Sequence, residues 1–172
     1  MITKDDVRGI IRDSLGLEEE EELNEALVLQ QKQFDLPTEL LSQKNKKAHE
    51  GLYENYVKTF NRVSAELDAV DKDEAGLNHS YYRSLKVDET YNMNAAYLHE
   101  LYFNNVSDVQ SEVSMDTLSF MRLERDFGSF DAWQEDFIAC GKSARNGWVV
   151  TGYNPYTQRY MNTLIDLHSL NV

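Results

Sequence analysis

An α+β fold, with an N-terminal helical hairpin followed by a short, mostly antiparallel sheet accompanied by helices, follows from three observations on the 172-residue sequence. Apolar residues recur at steps of three and four over two stretches in the first two thirds of the chain. β-Branched and aromatic residues crowd Trp148-Val149-Val150-Thr151-Gly152-Tyr153, and the turn signal Asn154-Pro155-Tyr156-Thr157 separates them from a second strand pattern over Gln158 to Leu167. Helices that precede strands, instead of alternating with them, define the α+β class.

In chain order, residues 1–39 read as an acidic helical appendage. Thr3 with Asp6 resembles a capping arrangement, Val7, Ile10, Ile11 and Leu15 form a short apolar stripe, and Gly16 is a stop. So short a helix is marginal alone and must dock on the main domain or a partner, with little contact to the core around Phe103, Phe130 and Trp148. The run Glu18 to Glu22 suits a solvated helix start. A second helix through Leu23, Ala26, Leu27 and Gln30 breaks near Asp35-Leu36-Pro37. Residues 40–112 form the hairpin domain. Its first helix, Leu40 to about Leu67, carries His49, Leu52, Tyr53, Tyr56, Phe60 and Val63 on one stripe. Asp68 to Asn78 is a charged connection, and Ala95, Ala96, His99, Tyr102, Phe103 and Val106 form the stripe of the second helix. In residues 113–172, a helix from Met115 to Asp126 closes at Gly128, and Ser129 caps another whose inner face is Phe130, Trp133, Phe137 and Cys140. There is no internal repeat or low-complexity segment.

Seventeen basic against 30 acidic residues give a net charge of −13, the wrong sign for a phosphate backbone, and no Lys/Arg cluster is interleaved with aromatics. Nucleic-acid binding is therefore not expected. No apolar run approaches the roughly 18 residues of a membrane span, and the start MITKDDVRGI lacks a secretory signal's basic and apolar regions. These features place the chain in the cytoplasm or in a virus particle. The single cysteine, Cys140, reads as a small core hydrophobe and not as a nucleophile.

His49 and His99 each lie on the apolar stripe of their helix, so both point inward, and two buried imidazoles on neighbouring helices suit a shared metal. The stretches LLSQKNKKAHEGLYENYVKTFN and NAAYLHELYFNNV, with FGSFDAWQEDFIACGKSARNGWVVTGYN after them, resemble the two metal-binding helices and the FGSF…GW segment of the iron/manganese superoxide dismutase family. The resemblance runs from about Leu40 to Asp166 and implies a superoxide dismutase-like fold. It also implies superoxide as substrate, iron or manganese as cofactor if the protein is active, metal ligands at His99 and His49, and a channel tyrosine with a catalytic role at Tyr56.

Departures from the family's pattern leave enzyme status open. Counted back from Tyr56-Val57, the family's first ligand falls on Ala48, and a shift of one residue rotates a side chain by about 100°. His49 is then a ligand only if the helix is overwound there. His79, in Asn78-His79-Ser80-Tyr81-Tyr82, also resembles the second ligand motif, but the spacing from His49 favours His99 and leaves His79 as a partly exposed histidine. Ala95 or Ala144 stands where the family's glutamine beside the metal-bound water would be. The family's Asp-x-Trp-x-x-His motif is not found up to Val172, which makes residues 113–172 a truncated α/β domain with half of the ligand set absent. His168 could stand near the metal site, although an exposed histidine at a strand end is the simpler reading.

Three functions are consistent with this pattern. One is a dismutase whose chain continues past residue 172. Another is a non-catalytic structural or binding component of a larger assembly such as a virus particle, containing no metal. The third is a metal module of other function, disfavoured because no HExxH, Cys ligand or paired Glu-x-x-His is present. Protein partners or a homo-oligomer are expected.

Overall fold

The computed structural model describes residues 28–37, 39, 41–107 and 113–169. The helix expected over Val7 to Leu15, the acidic run and most of the second expected helix lie outside these residues.

Two long helices dominate the first half, α1 (Gln43–Ala69) and α2 (Tyr81–Ser107). Ser42 begins α1 as its N-cap, its side chain accepting from the Asn45 N–H. The helix therefore starts three residues later than its apolar pattern suggests, because the first polar cap that satisfies a free N–H sets the boundary. His79 sits at φ 56° in the connection, and Ser80 Oγ then accepts from the Arg83 N–H to start α2. The two helices are antiparallel: moving along α1 from His49 through Tyr56 to Glu66, the facing residues on α2 run backwards from Tyr102 through His99 and Tyr91 to Tyr81. The core between them holds Tyr53, Val57, Ala96 and Phe103, with Val63, Leu67 and Leu85 further along. Leu52, placed on the inner stripe by its spacing, is 45% exposed, and Val57 takes the buried position instead.

Residues 28–37 enter the hairpin core, where little contact with the core around Phe103 was expected. They form an extended strap whose Leu36 is buried in the main core and whose Phe34 ring packs 5.0 Å from Phe103 and 6.0 Å from Tyr53. Helix is absent around Gln30 because the backbone finds other partners. The Leu29 N–H donates to Asn61 Oδ1, Asn61 Nδ2 donates back to the Leu29 carbonyl, and the Lys32 N–H donates to the Tyr53 hydroxyl.

The second half contains α3 (Leu118–Phe127), α4 (Phe130–Ser143), β1 (Trp148–Asn154) and β2 (Arg159–Ile165). Thr117 caps α3, later than the expected start at Met115, and Gly128 closes it at φ 90°, where a side chain is disfavoured. Ser129 then caps α4. The face of α4 expected to be inner is only half-buried, but it is fixed to the sheet. Trp133 Nε1 donates to Thr151 Oγ1, Thr151 Oγ1 donates to Asn162 Oδ1, and Asn162 Nδ2 donates to Asp136. At the end of α3, the Asp126 carboxylate accepts from Arg125 and from the Tyr160 N–H.

The strands pair antiparallel with Trp148 opposite Ile165 and Asn154 opposite Arg159. Asn154 Oδ1 closes the turn by accepting from the Tyr156 and Thr157 N–H groups. Gly147 precedes β1 for a steric reason: a Cβ there would lie 2.0 Å from the Ile165 carbonyl oxygen. The molecule is therefore α+β, and among the described residues no helix is long and apolar enough to cross a membrane.

Candidate metal centre

The hairpin register sets His49 on α1 against His99 on α2, with ring centroids 5.8 Å apart. His99 is 2% exposed. Its Nδ1 lies 2.7 Å from the Ala95 carbonyl, and since a carbonyl only accepts, Nδ1 carries the proton and Nε2 holds a free lone pair. That Nε2 is buried and has no hydrogen-bond partner; His49 Nδ1 is likewise buried and unpartnered. Burial lowers the His99 pKa to about 4, with Ala95 opposing the shift and His49 and His168 adding to it. At neutral pH the ring is therefore uncharged, as a metal ligand must be.

Aromatic residues surround the pair. Tyr56 lies 5.4 Å from His99, Tyr102 lies 5.3 Å from His49, and Trp148, arriving from β1, meets His99 edge-on at 4.8 Å. Burial raises the Tyr56 pKa, with the adjoining Tyr91 adding to the shift, and burial raises that of Tyr102. Both phenols therefore stay protonated and available as donors. The overwinding expected as the condition for an inward His49 is not seen: α1 is α-helical throughout, and its regular turn directs His49 inward while Ala48 is exposed.

His79 is exposed on the loop and is not brought to this site; about 27 Å of helix separates Tyr81 from His99 at 1.5 Å per residue. His168 departs from the expectation of an exposed strand-end residue: it is 8% exposed. It lies 4.8 Å from Tyr91 and 5.5 Å from Tyr56, and its Nε2 accepts from Trp148 Nε1–H at 2.7 Å. Neither Tyr91 nor His168 is marked by apolar periodicity. The available signal for His168 is the strand pairing, which sets Trp148 opposite Ile165 and so brings the residues after β2 near the indole.

Two orphaned ring nitrogens on facing helices, one with its other nitrogen fixed by a backbone acceptor, suit imidazole ligation of a metal. Among the described residues, no group of three or more His, Cys, Asp or Glu side chains is gathered closely enough to hold an ion. The residues present thus supply part of a coordination sphere.

An α+β chain with a two-imidazole centre inside a helical hairpin is the class of protein that this geometry defines. No family model matches the sequence. Among known proteins, the iron superoxide dismutase of Aquifex pyrophilus is 31% identical over 124 residues, covering 70% of this chain and 57% of the relative. That of Cupriavidus metallidurans is 34% identical over 123 residues, covering 70% and 60%. Manganese superoxide dismutase 1 of Haloferax mediterranei is 30% identical over 113 residues, covering 66% of this chain and 75% of its own length. The chain belongs to the iron/manganese superoxide dismutase family. It spans less than two thirds of the length of the Aquifex and Cupriavidus enzymes.

Proposed function

We propose that this chain carries the helical part of a superoxide dismutase centre, in which His99 Nε2 and His49 Nδ1 supply two of the ligands to iron or manganese. The observation that carries the reading is the pair of buried, unpartnered imidazole nitrogens on facing helices, in a chain whose relatives are named as iron and manganese dismutases. A metal bound there would supply one-electron chemistry, oxidising one superoxide to oxygen and reducing another, with two protons taken from solvent, to hydrogen peroxide. The residues prepare that step. Ala95 fixes the tautomer of His99, burial keeps its ring neutral, and Trp148 with Tyr102 shields the pair from bulk water. Tyr56, held protonated beside His99, is the group placed to donate a hydrogen bond to an incoming anion. Neither the relatives nor the geometry favours the alternative of a structural component of a virus particle.

The test is metal content and superoxide consumption of the natural polypeptide from its source, beside the same protein with His99→Ala. Bound iron or manganese and activity, both lost in the variant, are expected. Metal and activity unchanged by the substitution would exclude His99 as a ligand. Residues 1–172 by themselves, whose described part gathers two imidazoles without a carboxylate, are expected to bind manganese weakly and to show no appreciable turnover.

A further inference from the structure

The strap lies in a groove between α1 and α2 that continues past the strap's first described residues. It runs antiparallel to α1: Lys46 Nζ donates to the Leu36 carbonyl, the Tyr53 hydroxyl accepts from the Lys32 N–H, and Asn61 exchanges two hydrogen bonds with Leu29. Across the groove, Glu100 on α2 holds Lys32 Nζ. Steps of three and four carry both walls onward from these anchors, through Val57, Asn61, Ser64 and Asp68 on α1 and through Glu100, Ala96, Met93, Glu89, Lys86 and Tyr82 on α2. Beyond Leu29 those rows enclose a cleft of about 160 Å³ lined by Ser64, Leu67, Asp68, Tyr82, Lys86 and Glu89. Its floor is apolar, since Leu67 and Tyr82 belong to the cluster formed with Val63 and Leu85.

Reach, side and size decide which residue meets this floor. From Asn61 to the middle of the cleft, between Ser64 and Asp68, is about 7 Å of helix at 1.5 Å per residue. An extended chain covers that distance in about two residues at about 3.3 Å each, and two residues before Leu29 stands Leu27. Val28 is 52% exposed whereas Leu29 packs on the main core, so the strap presents alternate residues inward at this end and Leu27 is the next inward position. The cleft matches the roughly 150 Å³ cavity that takes up one benzene-sized group, enough for a single aliphatic side chain. Charge sets the limit of the contact. Past the cleft the hairpin carries Asp68, Asp71, Asp73 and Glu74, which repel the run Glu18 to Glu22.

We propose that Leu27 seats in the cleft between Ser64 of α1 and Lys86 of α2, extending the strap's interface with the hairpin by one inward position, and that the acidic run leaves the groove after it. The contact covers Leu67 and Tyr82 near the end of the hairpin that is joined by the charged connection. It is independent of any metal at His49 and His99.

The test uses the full chain without metal. NMR follows cross-relaxation between the Leu27 methyl groups, assigned by their loss in Leu27→Ala, and the Tyr82 ring protons. The signal is expected in the unaltered protein, within one chain in a sample that mixes labelled and unlabelled copies. Leu27→Ala should lower Tm by about 3–8 °C, as loss of a seated aliphatic side chain does, whereas the outward Val28→Ala should shift it by no more than about 1 °C. Glu18→Gln through Glu22→Gln, made together, should leave the cross-relaxation unchanged. Its absence from the unaltered chain, or its appearance only between copies, overturns the proposal. Loss of the signal on removing the five charges, or equal Tm shifts in Leu27→Ala and Val28→Ala, overturns it as well.

Discussion

The His99 imidazole shows how one backbone acceptor and one layer of burial prepare a ligand. Ala95 takes its Nδ1–H, the surrounding rings exclude water, and the ring becomes hard to charge, its pKa falling from 6.5 to about 4. That shift also has a sign for stability. The unfolded chain, with its histidine near 6.5, binds a proton before the folded chain does, so the fold loses stability as pH falls from about 6.5 to about 4 and loses no more from this group below that. The full loss from this one residue is on the order of 3 kcal/mol, and the lowered pKa of His168 acts in the same direction. Thermal unfolding of the metal-free protein at pH 7 and at pH 4.5 measures it. The drop in Tm should be clearly smaller in His99→Leu; an equal drop would assign the acid sensitivity to other groups. His99 was legible in the sequence because it occupies a regular place on an apolar stripe. His168 was not, since its partner Trp148 stands twenty residues away and meets it only through the pairing of β1 with β2.

Among the elements, those that begin and end on local chemistry were readable. Gly128 and Ser129 mark the α3 to α4 corner, and Asn154 marks the hairpin turn. The start of α2 at Tyr81 was not, because its first turns carry few buried positions and gain their order from α1, through Leu85 packed on Val63 and Leu67. The two-stranded sheet rests on a steric condition that the sequence shows only as a Gly-Trp pair. Gly147 passes so close to the Ile165 carbonyl that a methyl group has nowhere to go. Gly147→Ala should therefore push β1 away from β2, cost about 2–3 kcal/mol and displace Trp148 from His99. Denaturant unfolding with indole fluorescence follows both effects. Stability within a few tenths of a kcal/mol of the unaltered protein would show that the strands can shift at little cost.

Over the whole molecule, two packing units meet at the candidate site: α1 with α2 on one side, and the sheet with α3 and α4 on the other. Trp148 and His168 bridge them to His99 and to Asn94. A third contribution comes from the extended strap before α1. Its Leu36 is 2% exposed, and with Phe34 it covers Tyr53, Val57 and Phe103, of which Tyr53 and Phe103 lie about one turn of helix from His49 and His99. The strap also occupies the Tyr53 hydroxyl, which accepts from the Lys32 N–H and donates to Glu100. The low apolar content of residues 28–35 hid this role, since only Val28, Leu29 and Phe34 there look like core residues. The hairpin without the strap would open an apolar gap over Phe103 and leave Asn61 without its backbone partners at Leu29. Leu36→Ala is expected to cost about 2–4 kcal/mol by the cavity that it leaves, and deletion of residues 1–36 to cost more, to the point of abolishing a cooperative thermal transition. Calorimetry of both variants decides the matter. A deleted chain that still melts cooperatively near the Tm of the unaltered protein would show that the strap is dispensable and that the two helices form their core alone.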